Sequence, residues 1–384
     1  MINYGKQSVN NQDIRSVLKV LKSNFLTQGP SVELFEKRLS RYFKSKYALA
    51  MSNGTSALNI AAKVFNWNKK DIVFVSPITF LASANCIENT GATPKFVDIN
   101  LSDYSIDLSK LEEQLKKYKK KRKALVVTDY AGHPSDWLKI FKLKKKYNLQ
   151  VINDNCHAMG GKISGDRGYS SKYADITTLS FHPVKAITTG EGGALLTNNF
   201  KYFKLAKELR SHGVVRDPKQ ILKKGNWYHE MRSLGENARM SEIQASLGVS
   251  QIKRLNRFVV KRNKIARFYN EIFKDRSLFT IPKVKKNFYH AFHIYPLLVK
   301  FKKLGKTKKK IFNELKKKNI NLQVHYIPVN TQPYYKKKFG FNKKNFTNAL
   351  NFYQKEISLP IYYDLNNNEL NYIKKTFKKI FKIK

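Results

Sequence analysis

Lys185 lies in Ser180-Phe181-His182-Pro183-Val184-Lys185-Ala186-Ile187-Thr188-Thr189-Gly190-Glu191-Gly192-Gly193. The β-rich run Ile176 to Phe181 leads into it and reads as a buried strand. That puts the lysine just past a strand's carboxyl end, where open α/β sheets place their ligands. Glycines follow, so the backbone can turn sharply or pass close to a ligand. Most lysines of this chain stand in solvated runs such as Lys116-Lys117, whereas Lys185 has apolar and small neighbours. A lysine in such a place can shed its proton and attack a carbonyl, which is how pyridoxal phosphate is held. A surface lysine after a strand fits the same stretch, and the rest of the chain has to decide.

Four other segments carry chemistry. Met51-Ser52-Asn53-Gly54-Thr55-Ser56-Ala57-Leu58 joins a strand to a helix. A glycine, hydroxyls and first-turn N–H groups there make a phosphate cradle, although plain capping by Asn53 or Thr55 explains the same residues. Phe80 follows a strand end, where an aromatic can stack on a flat heterocycle or simply join the core. Asp154 ends the apolar run Val151-Ile152-Asn153, where an acid is costly unless paired, and a pyridinium nitrogen is a fitting partner. His157 follows three residues on and could bond the ring's oxygen, or be structural. The fourth segment is Gly235 to Gly248, in which Ser241 and Gln244 have capping-box spacing. The cap does not explain why Asn237 and Arg239 stand just before it.

The elements that must position these residues alternate through the first half. Expected strands are Tyr47–Met51, Ile72–Ser76, Lys95–Ile99, Ala124–Tyr130, Gln150–Asp154, Ile176–Phe181 and Ala194–Thr197. Expected helices are Thr55–Val64, Phe80–Asn89, Leu108–Lys117 and Trp137–Lys146, after two amphipathic ones at Gln12–Lys22 and Ser31–Tyr42. Largely apolar strands alternating with helices argue for a mostly parallel sheet covered on both faces. Beyond Thr197 come a helix at Phe200–Ser211, a polar aromatic loop at Gly225–Gly235 and a long helical stretch, Ser241–Phe273, interrupted near Asn256. A strand at Ala291–Val299, a helix at Thr307–Lys318, a strand at Leu322–Tyr326 and a helix at Asn366–Ile380 make a second, smaller α/β unit. With 384 residues two domains are expected, 1–250 and 251–384.

Composition narrows the class. The two cysteines, Cys86 and Cys156, sit among apolar or small residues, which suits a reducing cytosol rather than a disulfide framework. No secretory signal is expected from the first residues, and no run is long enough to span a membrane. The formal charge of +47 suits nucleic acid or an anionic surface. Yet it is spread as lysine over helix faces, with runs at 119–121, 144–146, 308–310, 316–318 and 336–338, while arginine is sparse. Without a zinc-finger spacing or an RNA-binding signature, a solvated lysine surface is the expectation, not a nucleic-acid site. No metal ligands stand out.

In this order, the Gly54–Ser56 cradle, Phe80, Asp154 with His157, Lys185 with its flanks and the Asn237–Gly248 segment resemble the DegT/DnrJ/EryC1/StrS family over nearly the whole chain. The family's members are sugar aminotransferases of the fold-type-I pyridoxal phosphate class. The resemblance therefore implies a large domain with a mostly parallel seven-stranded sheet and a smaller C-terminal α/β domain. Leu26-Thr27-Gln28-Gly29, Asp129-Tyr130-Ala131-Gly132, Gln323-Val324-His325-Tyr326 and Glu356-Ile357-Ser358-Leu359-Pro360 are most similar to one subgroup. Its members act on a UDP-linked 4-keto-6-deoxy-N-acetyl hexosamine of the pseudaminic acid type.

The resemblance implies that Lys185 binds the cofactor, Asp154 pairs with its pyridine nitrogen, Phe80 stacks on the ring and His157 touches the ring oxygen. Gly54, Thr55, Ser56 and Ser180 would hold the phosphate, joined by Asn237 from a second subunit of a homodimer. Tyr4, the stretch Asn24, Phe25, Leu26 and Thr27, and the stretch Gln323, Val324, His325 and Tyr326 would meet the sugar nucleotide, with glutamate as amino donor. His133-Pro134-Ser135 and the high lysine content depart from the family's usual pattern. Some relatives are dehydratases with His in place of the lysine, and Lys185 argues against that chemistry here.

Overall fold

Seven strands form one sheet: β1 (Tyr47–Met51), β2 (Ile72–Val75), β3 (Thr93–Phe96), β4 (Lys123–Thr128), β5 (Gln150–Asp154), β6 (Ile176–Ser180) and β7 (Gly193–Thr197). Their order is β1-β7-β6-β5-β4-β2-β3, and only β7 runs antiparallel to its neighbours. Successive residues of a strand face opposite sides. Leu49 and Met51 accordingly join the core under the helices Gly54–Val64 and Leu81–Glu88, while Ala48 and Ala50 join the core under the helix Pro30–Phe43. Both faces are covered, which is why the strands read as unbroken apolar runs. The computed structural model describes residues 1–118, 121–275 and 277–383; Lys119 and Lys120 of the lysine run at 119–121 lie outside them.

A second sheet follows: β8 (Phe279–Thr280), β9 (Tyr295–Val299) and β10 (Glu356–Leu359), antiparallel in the order β8-β9-β10. The helices Leu255–Ile272, Lys308–Lys316 and Asn367–Phe381 bury Tyr269, Ile311 and Phe377 against it in a core of its own. Ile2 reaches back into that core, and Ile2 N donates to Asn319 O at 2.7 Å. The long helical stretch does break, at a 3₁₀ turn over Ile252–Arg254.

Two expected strands come out differently. In the run 291–299 only Tyr295–Val299 pairs as a strand. Ala291 N donates to Gly132 O at 2.7 Å and Ile294 N to Ala131 O at 3.2 Å, so those N–H groups are taken by the loop after β4 instead of a ladder. The stretch Leu322–Tyr326 is not a strand. It touches β10 at a single bridge, Gln323 to Ser358, because His325 N donates to the Glu356 carboxylate and not to a backbone carbonyl. β3 lies at the sheet edge two residues before its expected start, and the edge is where its Pro94 is tolerated. The loop expected at Gly225–Gly235 contains Glu230–Met231, paired with Val214–Val215.

Candidate active site

The carboxyl ends of β1, β2, β4, β5 and β6 converge on one cavity of about 750 Å³, where a parallel sheet gathers its ligand-binding loops. Gly54, Thr55 and Ser56 enter it from the first turn of the helix after β1, which is capped by Asn53 Oδ1 accepting from Ser56 N at 2.8 Å. The cap expected from sequence is therefore real; it takes the Ser56 N–H and leaves those of Gly54 and Thr55 uncapped. This turn rests directly on β6. A Cβ on Gly54 would sit 2.8 Å from Ser180 Cβ, and a Cβ on Gly193 would collide with Asn53 O. Only glycine allows the two loops so close.

Asp154 enters from the end of β5. Its Oδ2 accepts from Ser83 Oγ at 2.5 Å and its Oδ1 from Cys156 N at 3.2 Å. Ser83 is backed by Thr79 at 2.8 Å, and Thr79 by Thr128 at 2.7 Å, so a buried hydroxyl chain links β2, β4 and β5 behind the carboxylate. None of these three hydroxyls was singled out from the sequence. Their signal is weak, since a hydroxyl residue at a strand end, in the turn after a strand or in the first turn of a helix is ordinary.

Lys185 stands opposite, in the loop between β6 and β7. The loop is closed by Phe181 N donating to Gly192 O at 2.8 Å and Thr189 N to Phe181 O at 2.9 Å. Lys185 Nζ lies 3.4 Å from His293 Nε2. Burial pushes its ammonium below the ordinary lysine value, against the pull of Cys156 and Asp154. His293 is a residue that sequence reasoning missed, because it was assigned to the body of a strand. Its backbone is held by the buried Arg262, whose Nη1 donates to His293 O at 3.2 Å and Ile361 O at 2.7 Å. Burial pushes Arg262 itself down to about 10.

His157 Nε2 lies 3.0 Å from Tyr326 Oη, and its ring centroid is 4.5 Å from that of His293. Burial, then the positive charge of Lys185, drives both histidines well below the usual imidazole value, so both are neutral. Phe80 stands at the mouth, 53% exposed, with its ring 6.1 Å from Tyr326. Tyr4, Gln323, Val324, His325 and Tyr326 form the far wall.

The same chain does not bring every expected residue here. Asn24, Phe25, Leu26 and Thr27 do not line the cavity; Leu26 O accepts from Glu242 N at 2.9 Å and Thr27 bridges Ser241. The Glu242 carboxylate collects Gly29 N, Ser31 N and Val32 N, which ties this segment to the helix Glu242–Gln251. Asn237 also lies outside the lining, bridged to Ser211. Among the described residues no helix is long and apolar enough to cross a membrane.

Comparison with known proteins agrees with this architecture. The chain is 37% identical over 376 residues to the UDP-4-amino-4,6-dideoxy-N-acetyl-β-L-altrosamine transaminase of Campylobacter jejuni, covering 98% of this chain and 96% of the relative. Its structure superposes on PseC of Helicobacter pylori, described as an aminotransferase involved in the biosynthesis of pseudoaminic acid. The TM-score is 0.90 with 34% identity, covering 99% of each chain. The putative sugar aminotransferase Spr1654 of Streptococcus pneumoniae, in its PLP form, superposes with a TM-score of 0.88 at 27% identity, covering 99% of this chain and 98% of that one. The seven-stranded sheet is thus that of the fold-type-I aminotransferases. Residues 7–378 match the family model as well, and the chain belongs to the DegT/DnrJ/EryC1/StrS aminotransferase family.

Proposed function

We propose that the cavity holds pyridoxal 5'-phosphate and that the protein moves an amino group from glutamate to C4 of a UDP-linked 4-keto-6-deoxy-N-acetyl hexosamine. The observation that carries this reading is the placement of a buried lysine and a buried carboxylate on one cavity that also contains a glycine-gated cradle. The donor set fits the cofactor. Gly54, Thr55, Ser56 and Ser180 offer N–H and hydroxyl donors to a phosphate. Each oxygen of Asp154 accepts one protein donor, Ser83 Oγ or Cys156 N, and has a further lone pair with which to hold a proton on a pyridine nitrogen. His157 and Phe80 would lie along the ring, the first toward its oxygen and the second over its face.

When bound, pyridoxal phosphate supplies an aldehyde that carries the amino group and a ring that withdraws electrons from the reacting carbon. Lys185 Nζ would hold the cofactor through that aldehyde and, when free, would move the proton at the reacting carbon. Burial lowers its ammonium below the ordinary lysine value, which favours the free amine this role needs. Neutral His157 and His293 avoid adding positive charge beside it. Tyr4 and the stretch Gln323–Tyr326, which line the cavity, are assigned to the sugar nucleotide.

The same reading includes a homodimer in which Asn237 serves the partner's cofactor. Leu222, Trp227, Met231 and Leu234 are strongly exposed within residues 222–234, apolar surface that a second copy would cover. It also includes a division near residue 250, supported by the separate core of the second sheet, and a cytosolic setting, supported by free Cys86 and Cys156. The test is to incubate the purified enzyme with glutamate and a panel of nucleotide 4-keto sugars and to follow amine gain by mass spectrometry. Amination of the UDP-linked N-acetyl sugar is expected. Amination only of another UDP- or dTDP-keto sugar, such as an aminoarabinose precursor, would overturn the assignment of substrate.

A further inference from the structure

Glu356 and Ser358 are buried in the strand β10, and the reaction above leaves them without a role. They are two residues apart on β10, so their side chains leave the same face. One edge of β10 pairs with β9, and the other meets residue 323. Ser358 N donates to Gln323 O at 2.7 Å, and Gln323 N to Ser358 O at 3.3 Å. Antiparallel register then brings His325 opposite Glu356. His325 N donates to Glu356 Oε2 at 3.1 Å, Ser358 Oγ lies 2.5 Å from Glu356 Oε1, and His325 Nδ1 lies 2.8 Å from Ser358 Oγ. All three residues are buried, and His325 reaches the cavity wall.

This unbroken chain has two proton arrangements. The backbone N–H of His325 can only donate, so Glu356 Oε2 is an acceptor in both. With Glu356 protonated, Oε1–H donates to Ser358 Oγ, the hydroxyl donates to His325 Nδ1, and the imidazole proton sits on Nε2. With Glu356 ionised, Ser358 donates to Oε1, Nδ1–H donates to Ser358, and Nε2 is bare. Between the two, the Nε2 proton leaves, the Ser358 proton passes to Nδ1, and the Glu356 proton passes to Ser358. One proton is released at Nε2, and the negative charge ends on Glu356.

We propose that Glu356, Ser358 and His325 form a relay through which the cavity wall exchanges one proton with a bound ligand at His325 Nε2. A histidine acting alone could not do this near neutral pH. Burial, with the charge of Lys185 adding to it, pushes the imidazolium of His325 down to about 3. Glu356 is pushed the other way by burial, to about 8, against Ser358, the His325 N–H and the charge of Lys308.

The phenols and imidazoles facing the relay stay neutral in that range. Tyr104, Tyr130 and Tyr326 are pushed above the ordinary phenol value by burial, with Glu356 adding to it, and Tyr4 is raised by burial. His157 and His293 are pushed down. Burial also pushes the lysines Lys185 and Lys308 down. The relay would give the site a second acid–base group beside Lys185. Only this use rests on the function proposed above.

The test reads protons directly. The full chain, labelled with ring-¹⁵N histidine, is titrated while long-range ¹H–¹⁵N spectra follow His325, assigned with His325→Gln. As pH rises through about 8, the two ring nitrogens should exchange their protonated and bare signatures with no imidazolium formed. Glu356→Gln should lock the proton on Nε2, because its amide oxygen must accept the backbone N–H and its NH₂ must donate to Ser358. Ser358→Ala should uncouple the tautomer from pH. A wild-type His325 that keeps one tautomer throughout, or that passes through imidazolium, overturns the relay even if a variant fails to fold. A conversion that persists in Glu356→Gln overturns it as well. Failure of the sugar-nucleotide assay would leave these spectra unchanged, so the two readings fail separately.

Discussion

Asp129→Asn is a near-isosteric change that should loosen the strand carrying Asp154. Asp129 is fully buried, and its carboxylate collects five donors. Oδ1 accepts from Ser135 N at 2.7 Å and Trp137 Nε1 at 2.9 Å. Oδ2 accepts from Asn155 Nδ2 at 2.9 Å, Tyr169 Oη at 3.0 Å and Asn153 Nδ2 at 3.2 Å. Asn153 and Asn155 flank Asp154, so one carboxylate grips β5 on both sides of the residue that faces the cavity.

In the variant the amide oxygen must stay with Ser135 N and Trp137 Nε1, which can only donate. The new NH₂ then meets three donors. The Tyr169 hydroxyl can turn to accept, leaving two charge-assisted bonds lost at about 1.5–3 kcal/mol each. Burial pushes the Asp129 carboxyl above the usual range, and removing that penalty offsets part of the loss. The net expectation is a stability loss of about 2–4 kcal/mol. Urea denaturation followed by tryptophan fluorescence would measure it, with pyridoxal phosphate affinity read on the same protein. A loss under about 1 kcal/mol with unchanged cofactor affinity would refute the idea that Asp129 holds β5.

Lys185→Ala should abolish transamination, and borohydride reduction of the wild type should place the pyridoxyl label on Lys185; a label mapped to another lysine would displace it. Because burial lowers its ammonium, Lys185 in the cofactor-free chain should become reactive at a lower pH than the surface lysines, which competitive amine labelling would show. Asp154→Asn should retain the cofactor but slow turnover by orders of magnitude, since an amide cannot hold the proton on the pyridine nitrogen; wild-type turnover would count against that pairing. Mixing Lys185→Ala with Asn237→Ala chains, once subunit exchange is established, should restore activity if each site draws on two chains. A fully active monomer would exclude the shared site.

Much of the fold was readable because a doubly covered sheet leaves a plain trace. β1 and β5 and the helix Leu108–Lys117 have the bounds that apolar runs and capping residues suggest. The stretches that misled are those whose backbone N–H groups leave the ladder. Ala291 and Ile294 bond to the loop at 131–132, and His325 bonds to a side chain, so a β-like pattern there did not make a strand. Alternation of residue types reports which side chains are buried, not which partner the backbone finds.

The site divides in the same way. That Lys185, Asp154 and the Gly54–Ser56 turn line one cavity was legible, because each combines an unusual residue with a strand end. His293 was not, because its meaning comes from meeting Lys185, 108 residues away. Ser83 and Thr79 likewise matter only through the hydroxyl chain behind Asp154. Sequence by itself determined the alternating architecture and the residue types able to do carbonyl chemistry, since periodicity and local context are properties of neighbours along the chain. Tertiary structure alone decided the neutral histidines around Lys185, the five-donor grip on Asp129 and the Glu356–Ser358–His325 chain. Burial and hydrogen-bond geometry come from residues that only folding brings together.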